Sequence, residues 1–528
     1  MHPQKFGTCF STTRRWALVA IATVLLGGQA LAELEQVSIG GELRIRGRWY
    51  INVFAPATER YNPSATGWRP LGPKGTTSTF KWSDKGGGGW ARYETATLLN
   101  VKADFSNSVS TFFELYDHSI WGEDFRSDYR TGVDGRGDPK KNYLTMNQAY
   151  VDVSNLFGEP LKLRVGRQAM KFGNGWLVSD MLTPSQFLSF DGVRLTWTPS
   201  KEFTMDAFDM KLAENVAGDE DSDFYGLYAT YTGIPALTIE GYYFFLRDAA
   251  HVETTALDPI GEWWEGVTGA DQYGATELHT IGTHLFGKES GFDYDLQLAY
   301  QFGDASHIGS MFVAKPLPYG DENAKYDNWG GALTVGYTFQ DVKFQPRPFL
   351  MGVYFGGQDN TDISFGDWLN PWYKPKASVS FNRLFSEVNY VPTINDNGWM
   401  SNFAQATVGV EAQLTDCVRA HVHVAKDWAV DAFDPPPYWN IGGVRVPKFP
   451  FLSFITEKGS NDMGWEVAAW VKYNYSADLT FMLYGNYLWV GEALRKGCYV
   501  QGNGTCFNGG PDSHDNAGYI FWMSTLKF

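Results

Sequence analysis

In the stretch GELRIRGRWYINV, residues 41 to 53, side chains sort by parity. Glu42, Arg44, Arg46, Arg48, Tyr50 and Asn52 fall on one face, and Leu43, Ile45, Trp49, Ile51 and Val53 on the other. A period of two means a strand whose faces meet two different media. GFDYDLQLAYQF (291–302), VRAHVHV (418–424), WEVAAWVKY (465–473) and LTFMLYGNYLW (479–489) repeat the pattern. Scanned this way, the chain predicts strands at 38–54, 90–105, 109–122, 145–154, 161–169, 189–198, 203–212, 222–232, 236–247, 276–286, 291–302, 329–339, 346–356, 401–412, 417–427, 463–474, 478–490 and 517–528. Long connections such as 55–89, 170–188 and 357–400 alternate with short ones such as SNS (106–108) and GIP (233–235).

An even number of alternating strands, with long and short connections in turn, predicts an all-β fold. The expected architecture is an 18-stranded antiparallel transmembrane β-barrel with short periplasmic turns and long extracellular loops. Closure pairs every backbone group, which hydrocarbon demands. The apolar parity then faces lipid. Trp49, Trp121, Trp329, Trp465, Trp489 and Trp522 are candidates for the aromatic girdles. Arg44, Arg46 and Arg48 would each cost roughly 2–4 kcal/mol at the bilayer midplane, so they must face a water-filled interior. The terminal YIFWMSTLKF alternates too and ends on Phe528. An aromatic end of this kind resembles the signal by which such barrels are inserted.

Composition sharpens the picture. Residues 1–32 carry Lys5, Arg14 and Arg15, then the apolar WALVAIATVLLGG, then ALA at 30–32. This reads as a signal peptide, with residues 33–528 as the outer-membrane barrel. After residue 32 no apolar run is long enough for a membrane helix. The formal charge of −16 excludes a general nucleic-acid binder, which needs a basic footprint. Cys498 and Cys506 flank a short loop and could form a disulfide in an exported protein, leaving Cys417 without a partner.

The inward parity collects the candidate pore-lining cations Arg44, Arg46, Arg48, Arg92, Lys162, Arg164, Arg194, Arg419 and Lys472, with Lys102 besides. Along the first strand the three arginines stand about 6.8 Å apart, twice the antiparallel rise. That spacing suits an extended anion gripped at several points, since a guanidinium holds a carboxylate with paired hydrogen bonds. The plainer reading is that these charges pair across strands with inward acids such as Glu42, Glu94 and Asp152. His421 and His423 share one face, but no third ligand accompanies them, and lumen polarity explains them better than a metal site. DGRGD (134–138) and GDEDSD (218–223) could hold loop-bound Ca2+, though neither has the spacing of an EF-hand. No cofactor is otherwise expected. No nucleophile, zinc or phosphate-loop motif stands in a supporting context, so no enzyme is expected.

At LRVGRQAMKFGNGWLVSD and SFDGVRLTW, and again at FNRLF (381–385) and MGWEVAAWVKYNYSADLTFMLYGNYLWVGEAL (463–494), the sequence resembles the alginate-export outer-membrane porin family. Gly166, Arg167, Gln168, Phe190, Asp191, Gly192 and Arg194 carry the motifs. Arg167 departs from the parity of Lys162 and Arg164 and is expected at a strand end, facing a loop. The resemblance implies an outer-membrane channel that passively exports an anionic, alginate-like polyuronate through an arginine-lined pore. A gate is expected from an outer loop, 123–144 or 170–188. The expected partners are outer-membrane lipid, the anionic polysaccharide and periplasmic secretion proteins. Two alternatives remain: a general or substrate-specific porin for small solutes, and a barrel sheath housing a partner protein.

Overall fold

A computed structural model describes residues 33–51, 90–121, 144–214, 221–249, 275–305, 325–357, 378–393, 401–431, 460–495 and 516–528, with short strand pieces in the loops between them. Eighteen antiparallel strands close one sheet. In chain order they are β1 (Leu34–Ile51), β2 (Trp90–Phe105), β3 (Val109–Ile120), β4 (Thr145–Val153), β5 (Leu161–Gln168) and β6 (Phe190–Trp197). Then come β7 (Phe203–Ala213), β8 (Ser222–Ile234), β9 (Leu237–Asp248), β10 (Thr276–Glu289), β11 (Phe292–Asp304) and β12 (Lys325–Tyr337). The last six are β13 (Arg347–Phe355), β14 (Phe403–Thr415), β15 (Val418–Trp428), β16 (Asp462–Asn474), β17 (Leu479–Val490) and β18 (Ala517–Lys527). Each strand pairs with its sequence neighbours, and β1 pairs with both β2 and β18. No helix among the described residues is long and apolar enough to cross a membrane.

Parity works as the sequence implies. Leu333, Leu350, Val408 and Leu483 are exposed on the outside, where lipid would cover them. Their neighbours Ala332, Met351, Thr407 and Met482 turn inward. Trp49 packs edge-on against Tyr93, which stacks on Trp121. With Trp329, Trp465 and Trp489, all highly exposed, they form an outward aromatic row at the long-loop end. Trp522 differs from expectation. It lies in mid-strand opposite Gly47, where a Cβ would come within 2.5 Å of the indole Nε1. The missing side chain of Gly47 makes the room for the ring.

Short turns follow from residues that tolerate left-handed backbone. Asn107 and Ser108 have φ of 63° and 61°, and Ser290–Gly291 have 51° and 88°. Chain ends meet at the short-turn end. Gly41 and Phe528 exchange backbone hydrogen bonds of 2.9 and 3.1 Å. The Phe528 ring lies so close over Gly41 that a Cβ there would sit 2.5 Å from it. Connection lengths alternate along the chain, and even the shortest of the long loops, 214–221, exceeds the turns on either side of it, 198–202 and 235–236. Residues 1–32 and Cys498 lie outside the described residues, as do parts of both stretches considered for Ca2+. Of the second stretch, Asp221 and Asp223 both bind Lys211, at 2.8 and 2.6 Å.

Candidate functional site: the lumen and its two in-folded segments

Two loop segments leave the long-loop end and enter the barrel. The first, 169–189, follows β5. The second, 378–393, precedes β14. Both run over inner faces that are apolar where a simple aqueous pore would be polar. Phe208, Phe224, Tyr228, Tyr242 and Phe244 point inward from β7–β9 and are buried. Phe172 covers them, stacking at 4.5 Å on Tyr228 and 5.6 Å on Phe208. Trp176 stacks on Phe355 of β13 at 5.7 Å, and Phe385 meets Phe190 edge-on at 4.9 Å.

The segments are stitched to each other. Phe385 N donates to Leu177 O at 2.8 Å, Ser179 N to Phe385 O at 3.1 Å, and Glu387 N to Gly175 O at 3.2 Å. Lys171 pairs with Glu387. Gly175 has φ of +79°, and a Cβ there would strike the Glu387 side chain at 2.6 Å. Arg383 is buried over the rings of Phe355 and Tyr390. Burial lowers its pKa to about 10, so it stays charged at neutral pH. Gln301 of β11 clasps the backbone of Asn382 with two bonds of 2.7 Å.

The first segment ends on the wall of β1–β3. Arg44 Nη1 donates to Pro184 O at 2.8 Å and lies over the Phe187 ring. Ser185 Oγ donates to Glu94 at 2.7 Å, and Tyr116 Oη to Ser185 O at 2.6 Å. Glu94 is fully buried at the centre of a cationic cluster. Arg46 reaches it at 2.5 Å, Arg48 at 3.0 Å, Arg92 at 3.2 Å and His118 at 3.5 Å. Three guanidiniums and His118 thus converge on one carboxylate.

The candidate cations lie on the inward parity of their strands, but in different settings. Arg46 and Arg48 are only 1% and 3% exposed. Arg44 pairs with Glu42. Arg164 binds Asp152 through two bonds, 2.7 and 2.8 Å, with Lys162 at 3.9 Å from the same carboxylate. Arg194 holds Asp206 at 2.8 and 2.9 Å. Arg419 pairs with Glu411. Lys472, opposite Arg419 in the register, is exposed and makes no ion pair among the described residues. Arg167 faces neither a loop nor the lumen. It stands on the outer surface and binds Asp191 on β6 through two bonds, 2.7 and 2.6 Å.

Sequence reading missed Arg347, which holds Asp293 at 2.8 Å. It also missed His284, set between Glu240 at 2.5 Å and Asp295 at 3.2 Å. Both were legible as inward polar positions. Inward acids such as Glu240, Asp293, Asp295 and Glu411 gather on β9–β14, across the lumen from the arginines of β1–β6. Below the in-folded segments, on this acidic side, lies a cavity of about 840 Å3. Trp176 and Tyr390 border it from above, and Arg347, Asp295, Glu411 and Lys288 border it from the wall. The second segment was missed as a pore element as well. Its signal was the two-sided apolar character of strands such as FYGLY (224–228), whose inward Phe224 packs on Phe385.

Residues 94–505 match the family model described as alginate export. No curated protein sequence matches the chain. Among solved structures it is similar to Pseudomonas aeruginosa OccK8 (OprE), at 11% identity and a TM-score of 0.48, over 94% of this chain and 98% of that one. Pseudomonas aeruginosa OpdL is similar at 10% identity and a TM-score of 0.47, over 93% and 99%. OccK5 (OpdH) of the same organism gives 12% and 0.45, over 93% and 98%.

Proposed function

This chain belongs to the alginate-export family of outer-membrane channels, and on that premise we propose that it exports an anionic saccharide of the uronate class. The observation that carries the reading is the Arg46–Arg48–Arg92 cluster about Glu94. Guanidiniums recognise planar carboxylates with two parallel hydrogen bonds. Guanidiniums clustered on the lumen wall favour anions in a low-dielectric setting. The in-folded segments act as the gate. Passage needs the 181–187 hairpin to leave Arg44 and Glu94, which hands the Arg44 donor held by Pro184 O to the cargo.

The test is the reversal potential of single channels in a planar bilayer under a salt gradient, with and without oligouronate. Wild type prefers anions and is blocked by the oligomer. The triple variant Arg44→Glu, Arg46→Glu, Arg48→Glu loses or reverses that preference. Unchanged selectivity would overturn the reading.

One observation favours a second reading, a substrate-selective channel for small solutes. An open pocket of about 840 Å3 lies on the periplasmic side of the in-folded segments, within the size range of small-molecule sites. Liposome swelling with sugars of graded size separates the two. A sharp size cut-off, together with indifference to oligouronate, would favour the second.

A further inference from the structure

Two carboxylates deep in the wall of β15 and β16 have no lysine or arginine to balance them. Asp427 and Glu466 are both fully buried. Among the described residues, the only ion-pair partner of either is His423, whose Nε2 stands 3.4 Å from Glu466. The other ring nitrogen of His423 is taken by His421 at 2.8 Å. Lys426, next to Asp427 in the chain, has the outward parity; it pairs with Asp462 and lies over the Trp465 ring. The remaining donors are neutral amides. Asn486 Nδ2 donates to Glu466 at 2.8 Å, and Gln405 Nε2 to Asp427 Oδ1 at 2.9 Å. Burying two carboxylates on such donors alone is costly.

Register brings the pair together. Asp427 stands opposite Gly464, and Glu466 opposite Ala425. The two acids therefore sit on a diagonal with no side chain larger than a methyl between them, within reach of each other. Thr407 stands on the other side of Ala425. Asp427 Oδ2, Asn486 Oδ1 and Thr407 Oγ1 are buried oxygens without a hydrogen-bond partner among the described residues, and all three residues are at most 7% exposed. The second in-folded segment closes over them. Asn486 Nδ2 also donates to Thr393 Oγ1 at 2.7 Å, and Gln405 Nε2 to Tyr390 O at 3.3 Å.

We propose that Asp427, Glu466, Asn486 and Thr407 form a calcium site that fastens the second segment to the barrel wall. A divalent cation cancels both buried carboxylates at once. Ca2+ takes about 6–8 oxygen ligands, and two carboxylates, an amide and a hydroxyl can offer roughly six. Mg2+ keeps several waters, which suits a closed site poorly. No group of three His, Cys, Asp or Glu able to hold a metal occurs among the described residues, so the chemistry is that of a hard cation on mixed oxygens rather than a transition metal. The ion orients Asn486, and Asn486 holds Thr393. The site is independent of which cargo the channel carries.

The experiment is calorimetric titration of the full-length, detergent-solubilised barrel with Ca2+ and with Mg2+ after chelation. Carboxylates in the loops contribute equally to wild type and variants, so the difference between them is what counts. Wild type binds one Ca2+ more than Asp427→Asn or Glu466→Gln, and Mg2+ at equal concentration does not displace it. Thr407→Val, which keeps the shape and removes the hydroxyl, weakens that Ca2+ about tenfold. In planar bilayers Ca2+ quiets the current flicker of wild type and leaves that of Glu466→Gln unchanged. Equal stoichiometry in wild type and both carboxamide variants overturns the site. Flicker that follows pH and ignores Ca2+ overturns it too, because the pair then shares a proton. Heat-modifiable gel migration confirms that each variant is a folded barrel.

Discussion

Leu177 and Phe385, far apart in sequence, are joined in the lumen by a backbone hydrogen bond of 2.8 Å from Phe385 N to Leu177 O. Each belongs to a motif that carries the family resemblance, one in GWLVSD and the other in FNRLF. What looked like two separate signatures is one object, a plug made of two loops.

That joint predicts a conductance change. Phe385→Ala removes a ring packed against Phe190 and Phe224. Truncations of this kind cost about 3–5 kcal/mol of local packing. The second segment then loosens while the strand ladder stays intact. Single-channel conductance should rise, with the unfolding midpoint of the barrel little changed. Conductance equal to wild type would show that the segments do not limit flow.

Glu94 is the hinge of the cationic cluster. Glu94→Gln leaves Arg46, Arg48 and Arg92 without their shared counter-charge in a buried site. Removing one partner of a buried ion pair costs about 3–5 kcal/mol. Arg46→Met should lose less than Glu94→Gln, because Glu94 then keeps Arg48, Arg92 and His118 as partners. Urea unfolding in liposomes measures both. Equal losses would mean that the cluster is solvated.

Adjacent residues of β17 test which face meets lipid. Leu483 is outward and exposed, and Met482 is inward. Leu483→Arg should cost roughly 2–4 kcal/mol if it lies near the midplane, while Met482→Arg should cost far less. Insertion equilibria in bilayers read the difference. Reversed costs would turn the barrel inside out.

Much of the barrel was written in the sequence. Parity is a local property: a residue's face depends on its neighbours two positions away, so alternation predicted the strands and put Arg44, Arg46, Arg48, Arg164 and Arg194 inside. The boundaries were near but not identical, as at β1, which begins at Leu34 rather than residue 38. Ends depend on where partners stop, which no single strand records.

What surrounds each inward side chain was decided by tertiary structure alone. Arg46 meets Glu94 because β1 and β2 share one register, and register is a relation between strands. Arg167 turned outward to Asp191 because parity, followed strictly to the strand end, leaves it no other face. The in-folding of 169–189 and 378–393 depends on contacts between segments distant in the chain, among them Leu177 with Phe385 and Trp176 with Phe355. Short-range patterning tells a residue which solvent it faces. Only the closed sheet, with loops folded back into it, decides whether that side is water or protein.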